Sequence, residues 1–518
     1  MNRTKGEVMG TFLKGTLILS LAMLYTKVVE FVVSILLAQS LGSEGMGFYM
    51  MALPVIGLLI TIAALEFPTA LSKVLAEEEV HQNERARLQI VKVSFFVIMG
   101  LSLLLVAVSA AITLLLLKWK NIDIRLGYPL LALIPIVPVI GTSSILKGYF
   151  SGLQKMKPIA IAQLLEKTAH LSFIFYVLHY VKDLPLEYRV VAAVLGLGAG
   201  ELVSLFFFSA SFLLGERTTG EAATEKTAPV SKRSILKKLF QVSLPTTGVR
   251  ILNALTAAVN PILITQSLLF AGIAASVATK QYGMLTAFAM TIGYFPGFIG
   301  YSLYVSLVPS ISEARSKQDD HALHQRIHQA FHITLLYGIP CSIVMYFFAD
   351  ELTVLFYHSP QAGQFLMLLS PFILFHYLLS PLQAILFGLG RARDVFSQTI
   401  WVNILSILLI VSLSSQSSFG IHGVIIAVNF SGVLLSFLHY HTIVEEVHFK
   451  PKLMDYAIFL ASGAFTIGLC ELMHRTHYED HISIIIVLAV VFAVYYGTLF
   501  FLRLFQSGLS RLWVKPEK

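Results

Sequence analysis

Long apolar stretches follow one another from end to end of this 518-residue chain, fourteen by our reading, and each is long enough to cross a bilayer. A hydrocarbon core takes about 20 helical residues, and backbone groups inside it must be satisfied within the segment, so the succession points to one architecture. That architecture is an all-α polytopic membrane protein, with spans beginning near residues 12, 48, 92, 127, 159, 189, 240, 283, 330, 362, 395, 419, 454 and 482. Only 13% of the residues are charged, against about 25% in soluble proteins, which leaves no sizeable soluble domain. The net charge of +8 does not argue for nucleic acid, because the basic residues are spread through short loops and form no dense stripe. Cys341 and Cys470 sit in apolar stretches and read as small core hydrophobes.

The first stretch, residues 11–39, is charged only at Lys14, Lys27 and Glu30. Its length and central charges do not suit a cleaved signal, so it is expected to be retained. The loops that would be cytoplasmic if the N-terminus is cytoplasmic carry Lys73, Arg87, Lys147, Lys155, Lys157, a cluster from Arg217 to Lys238, then Arg315, Arg326, Arg391, Arg393, Lys450 and Lys452. This asymmetry predicts a cell-membrane protein with both termini cytoplasmic and an even number of spans.

The chain also repeats itself. Pro135 is followed 17 residues later by Gly152-Leu153 and then Lys155, and Pro371 is followed 17 residues later by Gly388-Leu389 and then Arg391. Pro68-Thr69-Ala70-Leu71-Ser72 closes the second span, and Pro309-Ser310-Ile311-Ser312 closes the eighth. Two six-span halves in parallel orientation account for both offsets, an arrangement of transporters that work by alternating access. The expected division is 1–214 for the N-terminal lobe, 215–238 for a cytoplasmic linker, 239–445 for the C-terminal lobe and 446–518 for two additional helices with a tail. Within the linker, 231–239 reads either as an amphipathic helix on the inner surface or as a solvated connector. Pro135, Gly152 and Lys155, with their mates Pro371, Gly388 and Arg391, are hinge or gate candidates, since proline interrupts the helical ladder and glycine allows close approach. The alternative is that the prolines fit curved packing and the basic residues set topology.

Charges inside spans are costly, about 2.5–3.5 kcal/mol each at the helix centre by insertion scales, and normally mark a pathway. Lys27 and Glu30 are three residues apart and share a helix face, so they form either a structural pair or an anion-binding charge with its tuning partner. Arg250, with Asn253 and Asn260, lies on the seventh span, the repeat counterpart of the first. Arginine suits phosphate bidentately and lysine supplies a point charge, so the two predict a site for an anionic headgroup. Glu166 beside Lys167 and Glu201 after Gly198-Ala199-Gly200 add carboxylates, as a salt bridge at a helix end or as a proton or cation relay. His321, His324, His328 and His332 form a helical stripe, and His474, His477, Asp480 and His481 a short loop. Neither matches a compact zinc motif, so no metal site is expected.

No serine elbow, Walker sequence or His-Glu zinc motif is present, so the chain does not read as an enzyme. Active transport would then draw on an ion gradient or the membrane potential, with sodium ions or protons as the coupling ion and no cofactor.

Several motifs resemble a known family. Gly42-Ser43-Glu44-Gly45-Met46-Gly47-Phe48-Tyr49, Phe67-Pro68-Thr69-Ala70-Leu71-Ser72-Lys73, Leu146-Lys147-Gly148-Tyr149-Phe150-Ser151-Gly152 with Met156-Lys157-Pro158, Ser243-Leu244-Pro245-Thr246-Thr247 and Thr279-Lys280-Gln281-Tyr282-Gly283 are similar to the stage V sporulation protein B branch of the multidrug/oligosaccharidyl-lipid/polysaccharide exporter superfamily. The resemblance extends from about residue 12 to about residue 441. It implies a fourteen-helix, two-lobed lipid-linked oligosaccharide flippase, with Lys280 joining Lys27 and Arg250 as substrate-binding cations. The implied cargo is the undecaprenyl-pyrophosphate-linked peptidoglycan precursor for spore cortex synthesis, carried by a monomer in the phospholipid bilayer. Flippases of this superfamily that carry peptidoglycan precursor typically place two arginines on the first helix. Lys27 matches the first, Val33 and Ser34 occupy the region of the second, and Glu30 stands where glycine is common. A cation-coupled multidrug or small-molecule exporter, and a flippase for another lipid-linked polysaccharide, are the competing expectations. A membrane enzyme or an assembly scaffold is a third.

Overall fold

The computed structural model describes residues 5–80, 84–116, 124–219, 231–451, 453–474 and 481–513, and all of its regular structure is helical. Among these residues 12 segments are long and apolar enough to cross a membrane. The first, Leu21–Ala76, contains two of the expected spans, and Met156–Val181 falls outside the twelve because Gln163, Glu166, Lys167 and His170 make it more polar. Thirteen of the expected fourteen thus lie in the twelve segments, and the one expected to begin near residue 159 lies in this more polar helix.

Two compact units emerge from the packing, one of residues 1–265 with 274–283 and the other of 266–273 with 284–518. The helix Leu186–Thr219 and the helix Lys232–Phe270 run into the predicted linker from its two ends, and residues 220–230 lie outside the described part. Residues 231–239 show an amphipathic pattern, with Ile235 and Leu239 buried and Lys237 and Lys238 exposed. From Lys232 onward they form the start of the helix Lys232–Phe270, and Ile235 and Leu239 pack with Phe67, Leu71 and Ile90 in the core of the first unit. Those two apolar positions, four apart, share one helical face.

The internal repeat is legible in backbone geometry. The amides of Leu153, Gln154 and Lys155 donate to the carbonyls of Tyr149, Ser151 and Phe150 at 3.1, 2.9 and 2.9 Å. The amides of Leu389, Gly390 and Arg391, each 236 residues on, donate to Ile385, Phe387 and Leu386 at 2.9, 3.0 and 2.8 Å. Both turns satisfy the last carbonyls of a helix through one residue in the left-handed region, Gln154 at φ 55° and Gly390 at φ 80°. A new helix then starts at Met156 and at Ala392. The buried neighbours repeat as well: Leu146, Tyr149, Phe150 and Ile159 in one core correspond to Leu382, Ile385, Leu386 and Val395 in the other. Gln154→Gly should therefore raise thermal stability by about 1 kcal/mol, because a side chain in this region is penalised, and Gly390→Ala should lower it by about the same amount. Melting of the purified variants in one detergent checks both signs.

Helix interruptions mark the first unit. Lys5–Ala64 is two helices joined at Gly42, whose φ of 65° and ψ of −176° suit a residue without Cβ. After Ala64, Leu65 and Glu66 both adopt positive φ, 46° and 53°, before Phe67–Val80 begins. Two consecutive side-chain-bearing residues in that region are uncommon and persist only where surrounding contacts hold them. In the second unit the helical run after Gly283 passes through a π-helical turn at Met284–Ala289 and a 3₁₀ turn at Phe295–Gly297. The Tyr377 hydroxyl donates to the Gly293 carbonyl at 2.6 Å, which satisfies a backbone group near the second interruption. Leu453–His474 and His481–Trp513 pack in this unit too, where Tyr495 donates to the Leu335 carbonyl at 3.4 Å.

Candidate functional site

Charged side chains of the first unit meet in two clusters. In one, Lys27 Nζ lies 2.9 Å from Glu30 Oε2, as their i,i+3 spacing dictates. The other oxygen of Glu30 is 3.3 Å from Lys167 Nζ, which is itself 2.9 Å from Glu166 Oε1. Lys27, Glu30, Lys167 and Glu166 thus form a ladder of alternating sign between Lys5–Ala64 and Met156–Val181. A hydrogen bond of 2.7 Å between the hydroxyls of Tyr25 and Thr168 joins the same two helices. Glu166 and Lys167 form the expected salt bridge, though well inside their helix and not at its end. Glu201 lies near Ser143 and within electrostatic range of Glu166, Lys167 and Lys147. It follows a close helix contact, because a methyl group on Gly200 would sit 2.7 Å from the Glu166 carbonyl oxygen.

The second cluster is built on the interrupted helix. Arg250 Nη1 lies 2.8 Å from Glu66 Oε1, and the Thr69 hydroxyl donates to Glu66 Oε2 at 2.9 Å. The left-handed residues Leu65 and Glu66 aim this carboxylate, whose side chain is only 12% exposed, while Arg250 is 65% exposed. Glu66 was not among the sequence candidates. The signal was present, since it is a lone carboxylate in an apolar stretch two residues before Pro68.

The other candidates do not join these clusters by any described bond. Asn253 and Lys280 are exposed, and Asn260 has a buried Oδ1 with no partner among the described residues. Lys280 belongs to a motif whose neighbours make a tight contact of a different kind: a methyl on Gly47 would clash with the Thr279 carbonyl, and one on Gly283 with the Ser43 carbonyl and the Gly47 amide. Two of the motifs that carry the family resemblance therefore pack backbone to backbone. The first is anchored further by Arg125, 2.8 Å from Glu44 and 5.0 Å from the Phe48 ring centre, and by Arg189, which donates to the Ser40 carbonyl at 2.6 Å.

The gate candidates divide. Pro135 separates Gly127–Leu133 from Ile136–Gly152, whereas its mate Pro371 lies inside the unbroken helix Pro360–Gly388. Gly152 and Gly388 are both buried at equivalent helix contacts, where added methyls would lie 2.8 Å from the Ser72 carbonyl oxygen and 2.7 Å from Ile311 Cβ. Lys155 is exposed. Arg391 is held by Asp394 at 2.7 Å and by Glu446 at 3.5 Å, and Glu446 also binds Arg315 at 2.7 Å. Of the histidine stripe, His324 and His328 lie against the Phe449 ring, and His332 is 3.6 Å from Asp455. The side chains of His474, His477, Asp480 and His481 lie outside the described residues, as does that of Lys14.

Each central cation has a carboxylate partner, so an anion entering either cluster competes with Glu30 or Glu66. Both cations nevertheless keep more than half of their side-chain surface open, 54% for Lys27 and 65% for Arg250.

A family of polysaccharide biosynthesis proteins matches residues 12–315, and a second family, MatE, matches 285–414. Sporulation protein YkvU of Bacillus subtilis is 36% identical, over 88% of this chain and 99% of its own length. Stage V sporulation protein B of the same organism is 35% identical, over 87% of each chain. Among solved structures, the inward closed conformation of the lipid II flippase MurJ superposes with a TM-score of 0.71 over 94% of this chain and 100% of the other. At 14% identity, that last likeness is one of fold.

Proposed function

The chain belongs to the polysaccharide biosynthesis protein family within the multidrug/oligosaccharidyl-lipid/polysaccharide exporter superfamily, and on that premise we propose that this membrane transporter flips an undecaprenyl-pyrophosphate-linked saccharide by alternating access. The cargo we assign is the peptidoglycan precursor lipid II, for spore cortex synthesis. The observation that carries the reading is the pair of half-open cations, Lys27 and Arg250, set in apolar spans beside exchangeable carboxylates. A pyrophosphate offers both the charge that a lysine attracts and the paired oxygens that a guanidinium fork grips. The names of stage V sporulation protein B and of the lipid II flippase fit the same cargo. Under this reading the protein is a transporter and not an enzyme, acts as a monomer with both termini cytoplasmic, and takes its energy from an ion gradient or the membrane potential.

Flipping of labelled lipid II in proteoliposomes tests the proposal. Lys27→Ala and Arg250→Ala should each slow it by about tenfold or more, the size of a lost charged hydrogen bond, with normal membrane insertion. Unchanged flipping in the double variant would assign both cations to structure alone.

A second reading rests on Glu30, Glu166 and Glu201, three carboxylates gathered in the first unit, and on the MatE match. They suit a cation-coupled exporter of small cationic compounds, with the coupling ion bound among them. Efflux of a lipophilic cationic dye, competed by sodium ions or protons but not by lipid II, favours this second reading.

A further inference from the structure

The two oxygens of Glu30 bind different ammonium groups. Oε2 holds Lys27, which is 54% exposed, and Oε1 holds Lys167, which is 18% exposed. Lys167 is shared in turn with Glu166, and Glu201 lies within range of both. Without Lys167, Glu30 and Glu166 would lose the cation they share across two helices, and Lys27 would be left as the ion-pair partner of Glu30. With Lys167 in place, Glu30 remains neutralised when Lys27 turns away.

We infer that Lys167 is a positioning residue that governs how readily Lys27 leaves Glu30 for an anionic headgroup, an assignment that rests on the functional reading above. Lys27 is the arm exposed to a ligand, Glu30 is its resting partner, and Lys167 occupies the far oxygen so that departure does not strand a carboxylate in an apolar span. Once Lys27 is bound elsewhere, Glu30, Lys167 and Glu166 together carry one net negative charge. That charge draws Lys27 back and repels the anion, so the ladder that permits capture also promotes release. Lys27 alone, without its ladder, would hold an anion without this restoring pull.

The test measures binding of undecaprenyl pyrophosphate to the full chain in nanodiscs, with dioleoylphosphatidylglycerol as the competing anionic lipid. Lys167→Gln should weaken binding by about tenfold although Lys27 is intact, and Glu30→Gln should tighten it. Combining the two should restore affinity to within about threefold of the starting protein, because the carboxylate that trapped Lys27 is then gone. Lys167→Arg should keep most of the original affinity. A merely structural Lys167 would let Lys167→Gln lower melting but would give Glu30→Gln no tighter binding than the starting protein. Unchanged binding in Lys167→Gln, or no rescue in the double variant, overturns the assignment. If Lys167→Gln fails to reach the membrane, Glu30→Gln decides alone, and affinity that is unchanged or weaker overturns it. A starting protein that binds the pyrophosphate lipid no better than the competitor overturns the functional reading itself, and this assignment with it.

Discussion

Gly283→Ala is expected to lower the melting temperature of the purified protein by several degrees and to reduce its yield in the membrane, and Gly47→Ala should do the same. A methyl group on either glycine would penetrate backbone atoms: the Ser43 carbonyl and Gly47 amide in one case, the Thr279 carbonyl in the other. Backbone at a helix contact cannot rotate aside as a side-chain tip can, so the strain must be absorbed by separating residues 43–47 from residues 279–283. Overpacking of this kind costs about 1–3 kcal/mol. Separation would also disturb the anchors at Glu44 and Phe48, both of which Arg125 engages. Gly57→Ala is the control, because nothing lies within 4 Å of the position its methyl would take. It should melt no lower than the starting protein, since alanine is the better helix former by up to about 1 kcal/mol. Equal melting of all three variants would remove the contact from the account of stability.

Glu66→Ala is expected to damage both stability and transport, and the Glu66→Ala/Arg250→Ala double variant to recover stability only. The Glu66 side chain is 12% exposed, bonded at one oxygen to Arg250 and at the other to Thr69. Its loss leaves the arginine without a counter-charge in an apolar span, where an unpaired cation costs about 2.5–3.5 kcal/mol by insertion scales. The exposure of Arg250 reduces that figure, since solvent screens part of the charge, so a loss of about 1–2 kcal/mol is the expected result. Removing both partners together eliminates the stranded charge, and melting should return close to its original value. Flipping of labelled lipid II should stay at least about tenfold below the original rate, because the guanidinium that grips the diphosphate is absent. Recovery of transport along with stability would show that the pair serves packing alone.

Much of this molecule follows from residue order read against a bilayer. The spans are fixed by apolar length, since a segment of about 20 residues without internal water must satisfy its own backbone as a helix. The repeat follows from punctuation: Gly152-Leu153 and Gly388-Leu389 recur at the ends of two helices, and the turns that follow them share the same hydrogen bonds. The pairing of Lys27 with Glu30 is equally local, because three residues along a helix bring two side chains to one face.

Tertiary packing decided the remainder. No spacing in the sequence brings Lys167 to Glu30, which is 137 positions away, or Glu66 to Arg250, which is 184 positions away. Those meetings depend on which helices become neighbours and on the left-handed turn at Leu65 and Glu66, a conformation that neither residue favours alone. The close contact of Gly47 with residues 279–283 likewise required a neighbouring backbone, although both motifs could be seen as motifs. Lys27 and Arg250 could be recognised as charges in apolar spans from order alone. That Arg250 is already held by a carboxylate is a property of helix packing, because an ion pair between distant residues forms only where two helices bring opposite charges to one depth.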